Sequence, residues 1–170
     1  MRLIWLAFLA ASAAAQAATV EIHYAPSENL EAVDVALIDS AGVSIDMAAY
    51  VLCDAAVIEA LTDAADRGVK VRLYLDRGEF ATHAEALAAL IAAPGVAARI
   101  KPSGVLMHMK AYAVDGERLR TGSGNFSRSG LTEQDNDLIV TDDRHGVQRF
   151  ERDFERIFAV GQAAQSLAGY

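Results

Sequence analysis

Two periodicities alternate along this chain, and their switches outline one α/β domain. Residues 19–24 (TVEIHY) alternate as a strand does, and Ala25-Pro26-Ser27 ends the run. Ser27 then reads as the N-cap of a helix from 28 to about 40, with Leu30, Val33, Ala36 and Leu37 as its apolar stripe. Residues 43–52 (VSIDMAAYVL) read as a largely buried second strand. Asp54 caps a helix through Arg67, which Gly68 stops. Residues 69–75 (VKVRLYL) alternate cleanly as a third strand. A helix over about 80–92 follows, closed by Pro94-Gly95, and 96–100 form a short fourth strand. Residues 136–141 (NDLIVT) make another strand. Val147, Phe150, Phe154, Ile157 and Phe158 recur at helical spacing over 144–160, a packing face for the last helix. The tail after it is expected to fray. Repeated strand–helix–strand units predict an α/β sandwich, a mixed β-sheet with helices on both faces.

Between the fourth strand and residue 136 the pattern tightens into a hairpin. Residues 108–114 are apolar and aromatic enough for a buried strand, and Asp115-Gly116 tolerates the positive φ angles of a tight turn. With a two-residue loop, Val114 pairs with Glu117, Lys110 with Thr121 and His108 with Ser123. Opposed residues share a face and strand side chains repeat every second residue. His108, Lys110, Ser123 and Asn125 are therefore expected to project together. An imidazole, an ammonium, a hydroxyl and an amide in one small volume suit an anionic tetrahedral group: the imidazole attacks or shuttles protons, and the others hold oxygens.

Composition narrows this picture. The chain has 170 residues, and its first 17 (MRLIWLAFLAASAAAQA) have the basic start, short apolar core and A-x-A end of an export signal. The expected organisation is thus a leader over 1–17 and one domain over 18–170, with a periplasmic or secreted destination. Cys53 is the only cysteine, so no intrachain disulfide can form, and it reads as a small buried hydrophobe. His23, His83, His108 and His145 are scattered without metal-ligand spacing, so neither a metal nor another cofactor is expected. The net charge of −8 argues against tight general binding to nucleic acid, though not against a local basic cleft built from Arg118, Arg120 and Arg128.

The hairpin residues also carry a family resemblance. His108-x-Lys110-x4-Asp115, followed by Gly122-Ser123-x-Asn125, resembles the HKD signature of the phospholipase D superfamily, and the chain is similar to its small bacterial endonucleases from about residue 20 to the last helix. Those endonucleases carry one motif per subunit, and two motifs meet at each active site. The resemblance therefore implies a homodimer in which one His108 attacks phosphorus while the second serves as general acid and base. It also implies that Lys110 and Asn125 bind the non-bridging oxygens and that Ser123 donates a supporting hydrogen bond. Asp115 and Gly122 belong to the motif as structural residues, with Asp115 holding the turn off the reactive face. A family carboxylate that orients the nucleophilic histidine falls on Asp135, with Asp137 and Glu133 as neighbouring candidates.

The function this implies is an exported, metal-independent phosphodiesterase acting on nucleic acid. Phospholipase D activity on phospholipid head groups is the alternative, since the motif serves both diesters. A non-catalytic binding or dimerisation module is a third reading, opposed by the intact His108/Lys110/Ser123/Asn125 set.

Overall fold

A computed structural model describes residues 17–102 and 104–164. The leader is therefore outside the described residues except for Ala17. In chain order the elements are β1 (Val20–Ala25), α1 (Leu30–Asp39), β2 (Ser44–Ala49), α2 (Ala55–Asp66), β3 (Lys70–Leu75), α3 (Arg77–Ala92) and β4 (Val96–Ile100). There follow β5 (Lys110–Val114), β6 (Arg118–Gly122), α4 (Arg128–Thr132), β7 (Asn136–Thr141), α5 (Arg144–Val160) and β8 (Gln162–Ala163). The strands form one mixed sheet in the order β1-β7-β6-β5-β2-β3-β4-β8. β2, β3 and β4 run parallel and every other neighbour is antiparallel.

Helices cover both faces, as the sequence predicts, but unequally. Helices α1 to α4 pack on one face over a large core that includes Leu30, Leu61, Leu73, Leu87, Tyr112 and Phe126. On the other face α5 alone lays Phe150, Phe154 and Phe158 against Ala48, Ala111 and Ala113. The chain leaves β2 for β3 on one side, while β5 arrives on its other side from a later part of the sequence. The carboxyl end of β2 is thus the place where connections diverge, the position at which open α/β sheets build their binding sites.

Several expected details are corrected. Asn29, not Ser27, caps α1: its side chain accepts from the Ala32 amide, while the Ser27 hydroxyl is spent on the Tyr24 carbonyl at 2.8 Å. Asp76 caps α3, which begins three residues earlier than its apolar pattern and carries a kink at His83. The polar stretch after the hairpin holds a short helix, α4, capped by Ser127. Its apolar content is one buried leucine, Leu131, too little to reveal helical periodicity. Of the tail, Gln162 and Ala163 pair with Ile100 and Arg99 of β4, and residues 165–170 lie outside the described residues.

The hairpin register also differs. Val114 pairs with Arg118 and Tyr112 with Arg120, leaving Asp115, Gly116 and Glu117 in a three-residue loop. Asp115 and Gly116 both take positive φ, 55° and 65°, and the Glu117 amide closes the turn on the Val114 carbonyl at 3.0 Å. The turn itself is as the Asp-Gly dipeptide predicts, and Glu117 is the extra residue beyond it. This one-residue slip shifts every cross-strand pair and removes the simple parity argument that put Ser123 opposite His108.

Candidate active site

The site sits at the carboxyl end of β2, and one buried carboxylate shapes the approach to it. Asp76, at the end of β3, accepts from the Gly78 amide at the start of α3 and from the Met107 amide at 2.9 Å each. It therefore fixes the segment that delivers His108. The Tyr50 amide donates to the Met109 carbonyl at 2.8 Å, continuing the β2–β5 pairing past the strand ends. His108 lies just before β5, and Lys110 is its first residue, so the two share a face.

His108 and Lys110 form a tight pair. The Lys110 ammonium lies 3.0 and 3.2 Å from the two ring nitrogens and donates to the His108 carbonyl at 2.9 Å. The Tyr50 ring stands against the imidazole, centroids 4.5 Å apart, and its face is 4.8 Å from the ammonium. Burial lowers the Lys110 pKa, because a partly desolvated ammonium is disfavoured until an anion arrives. Burial, and then the Glu79 carboxylate bonded to it, push the Tyr50 phenol up, so it stays neutral. Tyr50 and Asp76 were hidden in the sequence as a strand aromatic and an ordinary turn acid. The signal available was their position, at the carboxyl ends of adjacent parallel strands.

The second half of the motif reaches the site through a constrained turn. At Gly122 a Cβ would lie 2.3 Å from the Asp137 carbonyl oxygen, so only glycine permits β6 and β7 to approach this closely. Ser123 is committed within the chain: its hydroxyl donates to Asn136 Oδ1 and accepts from the Asp137 amide, both at 2.9 Å. It pins the turn to β7. Asn125 is anchored by its neighbour Phe126, which is fully buried and whose carbonyl takes the Cys53 and Asp54 amides. Its own Oδ1 is buried and has no hydrogen-bond partner among the described residues. An amide oxygen only accepts, so it is the Nδ2 hydrogens of Asn125, not this oxygen, that can donate to an anionic oxygen.

Asp115 lies at the hairpin turn, at the far end of β5 from His108. Burial opposes its ionisation, but the amides of Gly42, Ser44 and Val43 outweigh that and hold the carboxyl below the usual range. Among the described residues, none of the three candidate orienting acids touches His108. Glu133 pairs loosely with Arg128 at 3.9 Å, and Asp137 accepts weakly from the Ser123 amide at 3.3 Å. Asp135 is exposed, with no hydrogen bond or ion pair to any described residue. The basic cleft that the sequence leaves open is not assembled from these arginines. Arg120 is fully buried, Arg118 bonds the Ser40 hydroxyl, and only Arg128 is well exposed.

A histidine and lysine two residues apart, meeting a GSxN turn on this sheet, decide the family. The family described as "Cardiolipin synthase, PLD-like domain" matches residues 35–158. The chain belongs to this PLD-like family. It is 36% identical over 113 residues to a phospholipase D of Rickettsia felis, covering 66% of this chain and 56% of that one. It is 35% identical over 92 residues to a mitochondrial cardiolipin hydrolase of Xenopus tropicalis, covering 54% and 43%. The chain spans about half the length of these curated relatives. Among solved structures it is similar to Nuc from Salmonella typhimurium, a phospholipase D family member, with TM-score 0.79 and 27% identity over 86% of this chain and 98% of that one. NucT from Helicobacter pylori shares the PLD-like fold at TM-score 0.74 and 18% identity, over 86% and 99% of the two chains.

Proposed function

We propose that this protein is a metal-independent phosphodiesterase that works through a phosphohistidine at His108. The observation that carries the reading is the His108–Lys110 pair, with the ammonium 3.0 and 3.2 Å from the two ring nitrogens, in a chain that also holds the Gly-Ser-x-Asn turn. The steps balance with these groups alone. One imidazole nitrogen bonds to phosphorus as the P–O bond to the leaving group breaks, and a second imidazole gives that oxygen its proton. The second imidazole then takes a proton from water, whose oxygen displaces the histidine. Lysine and amide donors hold the non-bridging oxygens as charge builds.

One chain has one such histidine, so the working unit is a homodimer with two copies of His108 across the two-fold axis. In that assembly Asp135 is the acid left free to steady an imidazole of the second copy. Nucleic acid is the first substrate reading, supported by the likeness to Nuc over nearly all of that chain. Phospholipid is the second. It is favoured by the identities near 35% with a phospholipase D and a cardiolipin hydrolase, and by the burial of Arg120 away from any basic cleft. Export to the periplasm or medium remains part of the proposal on the strength of the leader.

The test is hydrolysis of plasmid DNA and of phospholipid vesicles in excess EDTA, beside a His108→Ala control. Turnover of either by the wild type alone is expected, and it identifies the substrate class. If wild type and control are equally inert on both, the phosphodiesterase reading falls. A monomer by light scattering at assay concentration overturns the shared site.

A further inference from the structure

Beneath the hairpin, on the face covered by α1 to α4, Asp34 and Arg120 form an ion pair with no solvent exposure at either side chain. Two bonds of 2.9 Å join them in a fork, Arg120 Nε to Asp34 Oδ1 and Nη2 to Oδ2. The Tyr112 hydroxyl adds a third donor to Asp34 Oδ1 at 2.9 Å. What the guanidinium does with its remaining hydrogens is the informative part. The β5–β6 ladder stops at the Tyr112–Arg120 pair, so the Lys110 carbonyl has no cross-strand amide. Arg120 Nη1 meets that carbonyl at 2.9 Å, and both terminal nitrogens reach the Gly124 carbonyl at 3.4 Å. The same group stacks 4.5 Å from the Phe126 ring. One planar cation thus touches the main chain of the His-x-Lys strand and of the Gly-Ser-x-Asn turn.

We propose that Arg120, braced by Asp34, is a positioning residue that sets the spacing between Lys110 and Asn125 and so the geometry in which a phosphoryl group is held. The proposal rests on the phosphodiesterase reading above. Stability alone is a poor account of the pair, because well-packed apolar residues of similar size usually serve a core as well or better. Lysine cannot substitute: it has three donors on a point charge, whereas the contacts here need a rigid planar fork. The magnitude is consistent with catalysis being sensitive to small displacements, about 100-fold for roughly 1 Å.

The experiment separates packing from positioning with the double variant Asp34→Leu/Arg120→Met, which removes both charges and keeps volume. Melting temperature, kcat and KM are measured, with bis(p-nitrophenyl) phosphate as the probe. The expected result is a melting temperature within about 5 °C of wild type, a kcat about 100-fold lower and a KM changed less than about threefold. A double variant with kcat within twofold of wild type overturns the proposal. Should that variant not fold, Tyr112→Phe and Arg120→Lys carry the test. Each is expected to lower kcat with KM little changed, by about 3-fold and about 30-fold. Unaltered kcat in both overturns the proposal equally. A wild type inert on DNA, on phospholipid and on this probe alike defeats the phosphodiesterase reading, and this inference falls with it. Where only the probe fails, kcat and KM are read on the substrate that is turned over.

Discussion

The sheet carries an aspartate–arginine pair on each face, and the two are built for different conditions. Asp34–Arg120 lies under α1 and α4, sealed, with each hydrogen of the fork directed at a carboxylate or a backbone carbonyl. Asp46–Arg72 lies under α5, where the arginine side chain is 30% exposed and bonds Glu155 as well as Asp46. Arg72 also stacks on Phe154 and Phe158, 5.2 and 5.3 Å from their centroids. The second cluster holds more acid than base, since Glu151 shares it too. A sealed, balanced pair fixes geometry, while a wetter and acid-rich one couples the fold to pH.

Breaking the sealed pair is expected to have the largest effect. Arg120→Ala leaves a buried, unpaired carboxylate and two bare carbonyls, a loss of about 3–5 kcal/mol. Arg72→Ala is expected to cost less, about 1–3 kcal/mol, because water reaches Asp46 and Glu151 can share a proton with it. Urea unfolding of the two variants side by side measures the gap. Equal losses would mean that the two faces do not differ as described.

This contrast also marks what was legible in the sequence. The order of β1 to β7 and of the four longer helices, the α5 stripe and the turn at Asp115-Gly116 follow from periodicity and local chemistry, and the motif spacing singles out His108 and Lys110. The register did not follow, because Glu117 after an Asp-Gly turn gives no local sign of whether it is looped or paired. The burial of Arg120 was hidden for a related reason. Its flanking residues are charged, and its partner Asp34 stands 86 positions away on a helix whose other buried residues are apolar. Asp135 is the reverse case: the sequence offers it a role, and the single chain gives it no partner.

Glu151 provides the next test in size. Burial first, then its hydrogen bond to Asp46, push its carboxyl up to about 8. The folded protein therefore keeps a proton that the unfolded chain, near its ordinary 4.5, gives up. The unfolded state binds fewer protons across that window, so stability falls as pH rises from about 4.5 to about 8. Glu151→Gln keeps the hydrogen-bonding shape without the titration. It is expected to raise the melting temperature at pH 8 by about 2–4 °C and to leave it unchanged near pH 4.5. A uniform change at both pH values would remove Glu151 as the source.

The smallest expected effect tests whether Glu155 feeds that titration. Its bond to Arg72, 2.7 Å, involves a carboxylate side chain that is 60% exposed. Exposed pairs contribute little, so Glu155→Ala is expected to shift stability at neutral pH by no more than about 0.5 kcal/mol. Its charge nevertheless helps to raise Glu151, and removing it is expected to move the pH-dependent loss to lower pH. Melting curves at half-unit pH steps would separate the two effects. A midpoint that stays in place would mean that burial and Asp46 alone set the Glu151 proton, and that the wetter cluster is as self-contained as the sealed one.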